Sequence, residues 1–231
     1  MRTVSVLQNT DWEHLGFVED HLEGRNIRFR YIRPAHQVTW QKTIQNLTDG
    51  LVILGAAPYG IVTPPVIPGL EAKIDAIRSF LDNKLPVVGF GSGAQMLALA
   101  CEHSVESRPM TVSVETACRT ADDALNGFLP EEYPVITFMQ DIFDITEQVK
   151  VLSRTQSGKT ALFQLNDNCF GFLGHPGMKS SMIEDSLVQC PEHSDYDIAQ
   201  LASVRNHQDR IANSLVSIMT GLIQITGWMQ T

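Results

Sequence analysis

Apolar residues fall in short runs through the first half of the chain, and segments of helical spacing separate the runs. Thr3 to Leu7 is a valine-rich strand candidate, and His14 to Leu22 then places its apolar residues at helical intervals. The alternation repeats, with Ile27 to Ile32 as a strand, Trp40 to Asn46 as a short helix and Gly50 to Leu54 as a buried strand. A Pro/Gly-rich stretch, AAPYGIVTPPVIPG, follows and is long enough to suggest a functional loop. Leu70, Ile74, Ile77 and Leu81 mark one face of a helix that ends before Leu85-Pro86. Then PVVGFGSGAQMLALAC reads as strand, glycine-rich turn and helix.

Beyond that point the pattern changes. Thr111 to Cys118, Val135 to Phe138, Val149 to Arg154, Ala161 to Leu165 and Cys169 to Leu173 are closely spaced strand candidates with turn residues between them. Two helical stretches, Asp195 to Val204 and Gln208 to Ile225, close the chain, the second with Ile211, Leu215, Ile218, Met219, Leu222 and Ile225 on one face for packing on a sheet. The pattern predicts a doubly wound α/β domain over residues 1–231, a mainly parallel sheet with an antiparallel β extension. Ligands of such sheets bind beyond the carboxyl ends of the strands.

Composition narrows the partners more than the fold. With 17 Lys and Arg against 26 Asp and Glu, the net charge of -9 repels a phosphate backbone, and no basic cluster compensates, so no nucleic acid is expected. The four cysteines, Cys101, Cys118, Cys169 and Cys190, have no CxxC spacing, which points to a reducing cytoplasm. No apolar run is long enough for a signal peptide or a membrane span, so a soluble cytoplasmic chain without membrane contact is expected. His14, His21, His36, His103, His193 and His207 lack ligand spacing, and neither a metal nor another cofactor is expected.

Four segments, in order, resemble class I glutamine amidotransferases of the stand-alone type similar to the amidotransferase part of GMP synthase. DGLVILGAAP (Asp49 to Pro58) resembles the family's D-G-L-[IV]-[IL]-x-G-G-P loop, and LPVVGFGSGAQMLALA (Leu85 to Ala100) its P-[VI]-[LF]-G-[IV]-C-x-G-x-Q-x-[LI]-A elbow. FMQDIFDIT (Phe138 to Thr146) is similar to H-x-H-x-D-x-[FV]-x-[LI]-P, and CFGFLGHPGMKSSM (Cys169 to Met182) to the [GA]-x-Q-[FW]-H-P-E ending. The resemblance implies a flavodoxin-like fold and places the catalytic cysteine, histidine and orienting glutamate at Gly91, His175 and Gly177. Gly89, Gly93, Gln95 and His175 keep the family's residues, whereas the nucleophile and the glutamate are both glycine, and Ala56 and Ala57 replace loop glycines.

A thioester route needs a thiolate, which glycine cannot supply. The reading is therefore of a family member without glutaminase activity, a pseudoenzyme that binds a small molecule or a partner protein. Family members hand ammonia to a synthetase, so the resemblance implies a partner synthetase; self-association through the last helix stays open. The alternative is an enzyme acting on another substrate through Ser92 or His175. Ser92 lacks the glycines of a G-x-S-x-G elbow and reads better as the cap of a helix from Gly93 to Ala100. GFGSGA also fits a dinucleotide loop with Glu115 as its acidic partner, although it does not lie in the first βα turn. Cys169, six residues before His175, offers a displaced thiol. The loss of two side chains predicts a widened, less acidic pocket lined by Gly55, Ala56, Gly91, Ser92, Gln95 and His175, with a small anion held by the helix-start amides. Filling of that space by Tyr59 or another loop side chain is the competing expectation.

Overall fold

The computed structural model describes the chain except for residues 145–148, 190–193 and 230–231 and the side chains of residues 144 and 194–200. Cys190, His193 and the end of the third resembling segment lie outside the described residues.

Five strands form the parallel half of the main sheet: β1 (Thr3–Leu7), β2 (Arg28–Ile32), β3 (Leu51–Ile53), β4 (Val87–Phe90) and β11 (Cys169–Phe172), in the order β2-β1-β3-β4-β11. The sheet continues antiparallel from β11 through β10 (Thr160–Asn166), β9 (Lys150–Thr155) and β6 (Thr111–Arg119) to β7 (Glu132–Met139). The expected antiparallel extension is present and continues the same nine-stranded sheet. A small antiparallel pair, β5 (Ser104–Glu106) with β8 (Ile142–Asp144), is an addition that the sequence pattern did not mark.

Alternation along each strand dictates the layers, because successive side chains point to opposite faces. Val4, Val6, Val52, Leu54, Val88 and Phe90 share one core with Val18 and Leu22 of α1 (Phe17–Gly24) and with Leu215, Ile218 and Leu222 of α6 (Ser194–Thr226). Leu7, Leu51, Ile53 and Val87 face the opposite core, against Trp40 and Ile44 of α2 (Trp40–Gln45), Ile74, Ile77 and Phe80 of α3 (Leu70–Asp82), and Met96 and Leu97 of α4 (Ser92–Ala100). The fold is the doubly wound, flavodoxin-like sheet that the alternation predicts. Each fully buried aliphatic or aromatic side chain contributes about 1.5 to 3 kcal/mol.

The C-terminal region differs from expectation. A helix unmarked by the pattern, α5 (Ser180–Gln189), precedes the final one, and the two closing stretches are a single helix, α6. The polar Arg205 to Gln208 contains no glycine or proline, so nothing stops the helix there. Gln208 instead ties α6 down: its amide donates to the Met178 carbonyl (3.0 Å) and its side-chain oxygen accepts from Ser180 N–H (2.7 Å). The apolar face from Ile211 to Ile225 packs on the sheet, α6 lying against β6 and β7. Among the described residues no helix is long and apolar enough to cross a membrane.

Candidate functional site

β4 leads into α4 through a sharp turn at Gly91, whose φ of 54° and ψ of -123° lie where a side chain is strained. The Gly91 N–H donates to the Phe172 carbonyl (3.0 Å), and its carbonyl accepts from Ala94 N–H (2.9 Å). One helix-start amide expected for an anion is therefore spent on joining β4 to β11. A Cβ on Gly93 would overlap the Ile53 carbonyl, so the elbow helix sits directly against the end of β3. A Cβ on Gly91, by contrast, would come no closer than 4.0 Å, to Gly55 Cα. The apex has room for a nucleophile and holds none.

Gly55 and Ala56 follow β3, Gly91, Ser92 and Gln95 follow β4, and His175 follows β11, so all six lie beyond the carboxyl ends of neighbouring parallel strands, and all six are buried. Ser92 does not cap α4; it is the helix's first residue after Gly91, and its Oγ meets no hydrogen-bond partner among the described residues. Gln95 donates from Nε2 to the Gln140 carbonyl (2.9 Å), and the Gln140 side chain donates to the Pro58 carbonyl. The glutamine of the elbow thus fastens α4 to the end of β7, and Gln140 in turn fastens the loop after β3 there.

Glu13, which no motif singles out, also reaches this edge. It is 3 % exposed, and its Oε1 accepts from Gly55 N–H at 2.7 Å. The carboxyl group occupies the space that a Cβ on Gly55 would take. Burial pushes its pKa from 4.5 to about 8, against the lowering effect of the Gly55 N–H, so the group is largely protonated at neutral pH. The chain's own carboxyl, not Tyr59, lies on the Gly55 amide beside the Gly91 turn. Tyr59 packs, half-buried, against the α3 and α4 side of the sheet.

His175, 2 % exposed, is held at both ring nitrogens. Nε2 donates to the His14 carbonyl (2.7 Å), and Nδ1 accepts from Gly177 N–H (3.2 Å). Its ring lies 5.0 Å from that of Phe90, the last residue of β4. Burial drives its pKa down to about 4, so it is a neutral imidazole whose hydrogen bonds are made to backbone. The expected widening at the glutamate position is not found. A Cβ on Gly177 would come within 3.0 Å of Val18 and 3.1 Å of Leu215, because α1 and α6 have closed over it.

The other sequence candidates are dispersed. Cys169 pairs with Val87 at the opening end of β11, whereas the elbow follows Phe90 at the far end, three residues or about 10 Å along the strand. Its thiol is buried among the α3 and α4 contacts and pushed up to about 11. Glu115 lies on β6, 2.8 Å from Lys159 Nζ, in the antiparallel half of the sheet. Among the described residues no group of three His, Cys, Asp or Glu side chains gathers to hold a metal.

Asp141 anchors the Pro/Gly-rich loop. At φ 63° its carboxylate accepts from the amides of Ile61 (2.7 Å), Val62 (3.0 Å), Thr63 (3.3 Å) and Arg108 (3.2 Å) and from the Thr63 hydroxyl. Burial raises its pKa, but these donors outweigh that effect and hold it below the ordinary range.

No family model matches the chain, and no curated protein does. Solved structures do match. A glutamine amidotransferase from Thermotoga maritima superposes with a TM-score of 0.79 at 16% identity, covering 97% of this chain and 98% of that one. Another from Methylobacillus Flagellatus gives 0.74 at 18% identity over 100% and 96%. A putative GMP synthase subunit from Thermoplasma acidophilum gives 0.58 at 18% identity over 90% and 98%. The chain has the fold of the class I glutamine amidotransferases.

Proposed function

We propose that this chain is an amidotransferase-like protein that does not hydrolyse glutamine and acts by binding a small molecule or a partner protein. The observation that carries the reading is the turn at Gly91, built as an elbow with room for a side chain and lacking one. Two neighbours reinforce it. Glu13 occupies the Gly55 amide beside the turn, and both nitrogens of His175 are engaged by backbone, so that amide is not free for a substrate oxygen and the imidazole is not free to shuttle a proton. Ser92 offers no substitute, since its hydroxyl is buried without a base. Partnership follows from the resemblance and is consistent with a neighbour that is a putative subunit of GMP synthase.

The test is ammonia release from glutamine by the purified chain. No turnover is expected. Turnover that disappears in His175→Ala would overturn the proposal, and labelling by a serine-directed probe that is lost in Ser92→Ala would favour an enzyme of another kind.

A further inference from the structure

A concavity that none of Gly55, Ala56, Gly91, Ser92, Gln95 and His175 lines lies on the antiparallel half of the sheet. It measures about 400 Å³, within the size range of small-molecule sites, and lies between the start of β6, the end of β7 and Leu173. Pro109, Met139, Ile142 and Leu173 supply apolar walls, and Arg108 and Lys159 bring the cationic groups. Thr137 also lines it; this residue is 3 % exposed, and its Oγ1 meets no partner among the described residues. A buried hydroxyl without a partner is costly, and a ligand atom would relieve it.

The charges favour an anion. Lys159 Nζ is 2.8 Å from Glu115 and Arg108 Nη2 is 2.9 Å from Glu106, but an ammonium has three donors and a guanidinium five, so each keeps donors beyond its own pair. Asp141 also lines the cavity, yet its carboxylate is already met by four backbone amides and the Thr63 hydroxyl. Apolar walls with cationic groups suit an amphipathic acid better than a bare anion such as phosphate. We propose that this cavity binds a small apolar monocarboxylate, its charge on Lys159 and Arg108, its body against Met139 and Leu173, and an oxygen of the body hydrogen-bonded to Thr137. The site does not use the elbow and stands whether or not the chain proves inactive toward glutamine.

Titration calorimetry on the full chain with hexanoate, 2-oxohexanoate, hexylammonium, inorganic phosphate and L-glutamine tests it. Hexanoate and 2-oxohexanoate should bind with one-to-one stoichiometry, and more tightly than the other three. Lys159→Met should weaken both acids about tenfold, the scale of one charge-assisted hydrogen bond. Arg108→Gln provides a second variant at the cationic side should loss of the Glu115 pair disturb the fold. Thr137→Val should weaken 2-oxohexanoate more than hexanoate, which a purely structural role for Thr137 would not produce. The proposal is overturned if neither acid binds, if hexylammonium or phosphate binds as well as hexanoate, if glutamine binds more tightly than both acids, or if correctly folded Lys159 and Arg108 variants bind unchanged.

Discussion

Replacing Glu13 by glutamine isolates the carboxyl that lies on the Gly55 amide. Glutamine keeps an oxygen to accept the Gly55 N–H and removes only the ionisation. In the folded chain the carboxyl titrates at about 8, against an ordinary 4.5, because burial disfavours its charged form. The folded state therefore holds a proton that the unfolded chain releases above pH 4.5. Stability from this group is complete below the unfolded value and is lost as pH rises through about 8. At about 1.4 kcal/mol for each pH unit, the full loss is about 5 kcal/mol, and the part falling between pH 6 and pH 9 is about 3 kcal/mol. Urea unfolding of both proteins across that range, followed by tryptophan fluorescence, measures it. Wild type should lose about 3 kcal/mol more than Glu13→Gln over the interval. A stability difference that does not change with pH would show that Glu13 is charged or solvated in the folded chain and would refute the reasoning.

Four further outcomes are expected. Gly91→Cys should fold, since a Cβ there is 4.0 Å from its nearest neighbour, with a loss of about 1 to 3 kcal/mol from the strained backbone at positive φ, yet should release no ammonia from glutamine; measurable release would show that Glu13 and His175 are no obstacle. Gly177→Glu should lower stability by about 2 kcal/mol or more, because Val18 and Leu215 fill the site, and a melting temperature within a degree or two of wild type would contradict that packing. His175, neutral at a pKa of about 4 in the fold and ordinarily near 6.5, contributes stability that is present above pH 6.5 and lost as pH falls through 4, up to about 3 kcal/mol; acid unfolding of His175→Gln should lack that component. Asp141→Ala strands several loop amides, and limited proteolysis should then cut between Gly60 and Val66, where wild type resists.

Much of the frame was legible because it depends on local pattern. The short valine-rich runs at Thr3 to Leu7 and Val87 to Phe90 have the length and β-branched content of buried strands, and the spacing of Leu70, Ile74, Ile77 and Leu81 marks one face of a helix. The elbow was legible through Gly89, Gly91 and Gly93. Glu13 was not, for a carboxylate in a polar turn looks the same whether it meets water or Gly55, and only tertiary closure decides. The same holds for Gly177, where the absent side chain says nothing about Val18 and Leu215 arriving to replace it. Ser92 has the residue type of a cap but not its place, because Gly91 already occupies that position by virtue of its φ. Thr137 and Lys159 are far apart in sequence and become neighbours only through the antiparallel pairings.

The position of β11 has a consequence for how the chain is made. Residues 169–172 are made after both of the strands they join, β4 and β10, and lie between them near the middle of the sheet. Until they emerge, the nascent chain presents two unpaired strand edges, one on each half, of the kind that joins neighbouring chains into aggregates. The Gly91 turn is likewise incomplete at that stage, since its amide awaits the Phe172 carbonyl. Synthesis thus leaves the edge of β4 exposed from its own emergence until that of β11, and insertion of one four-residue segment both joins the halves and sets the elbow.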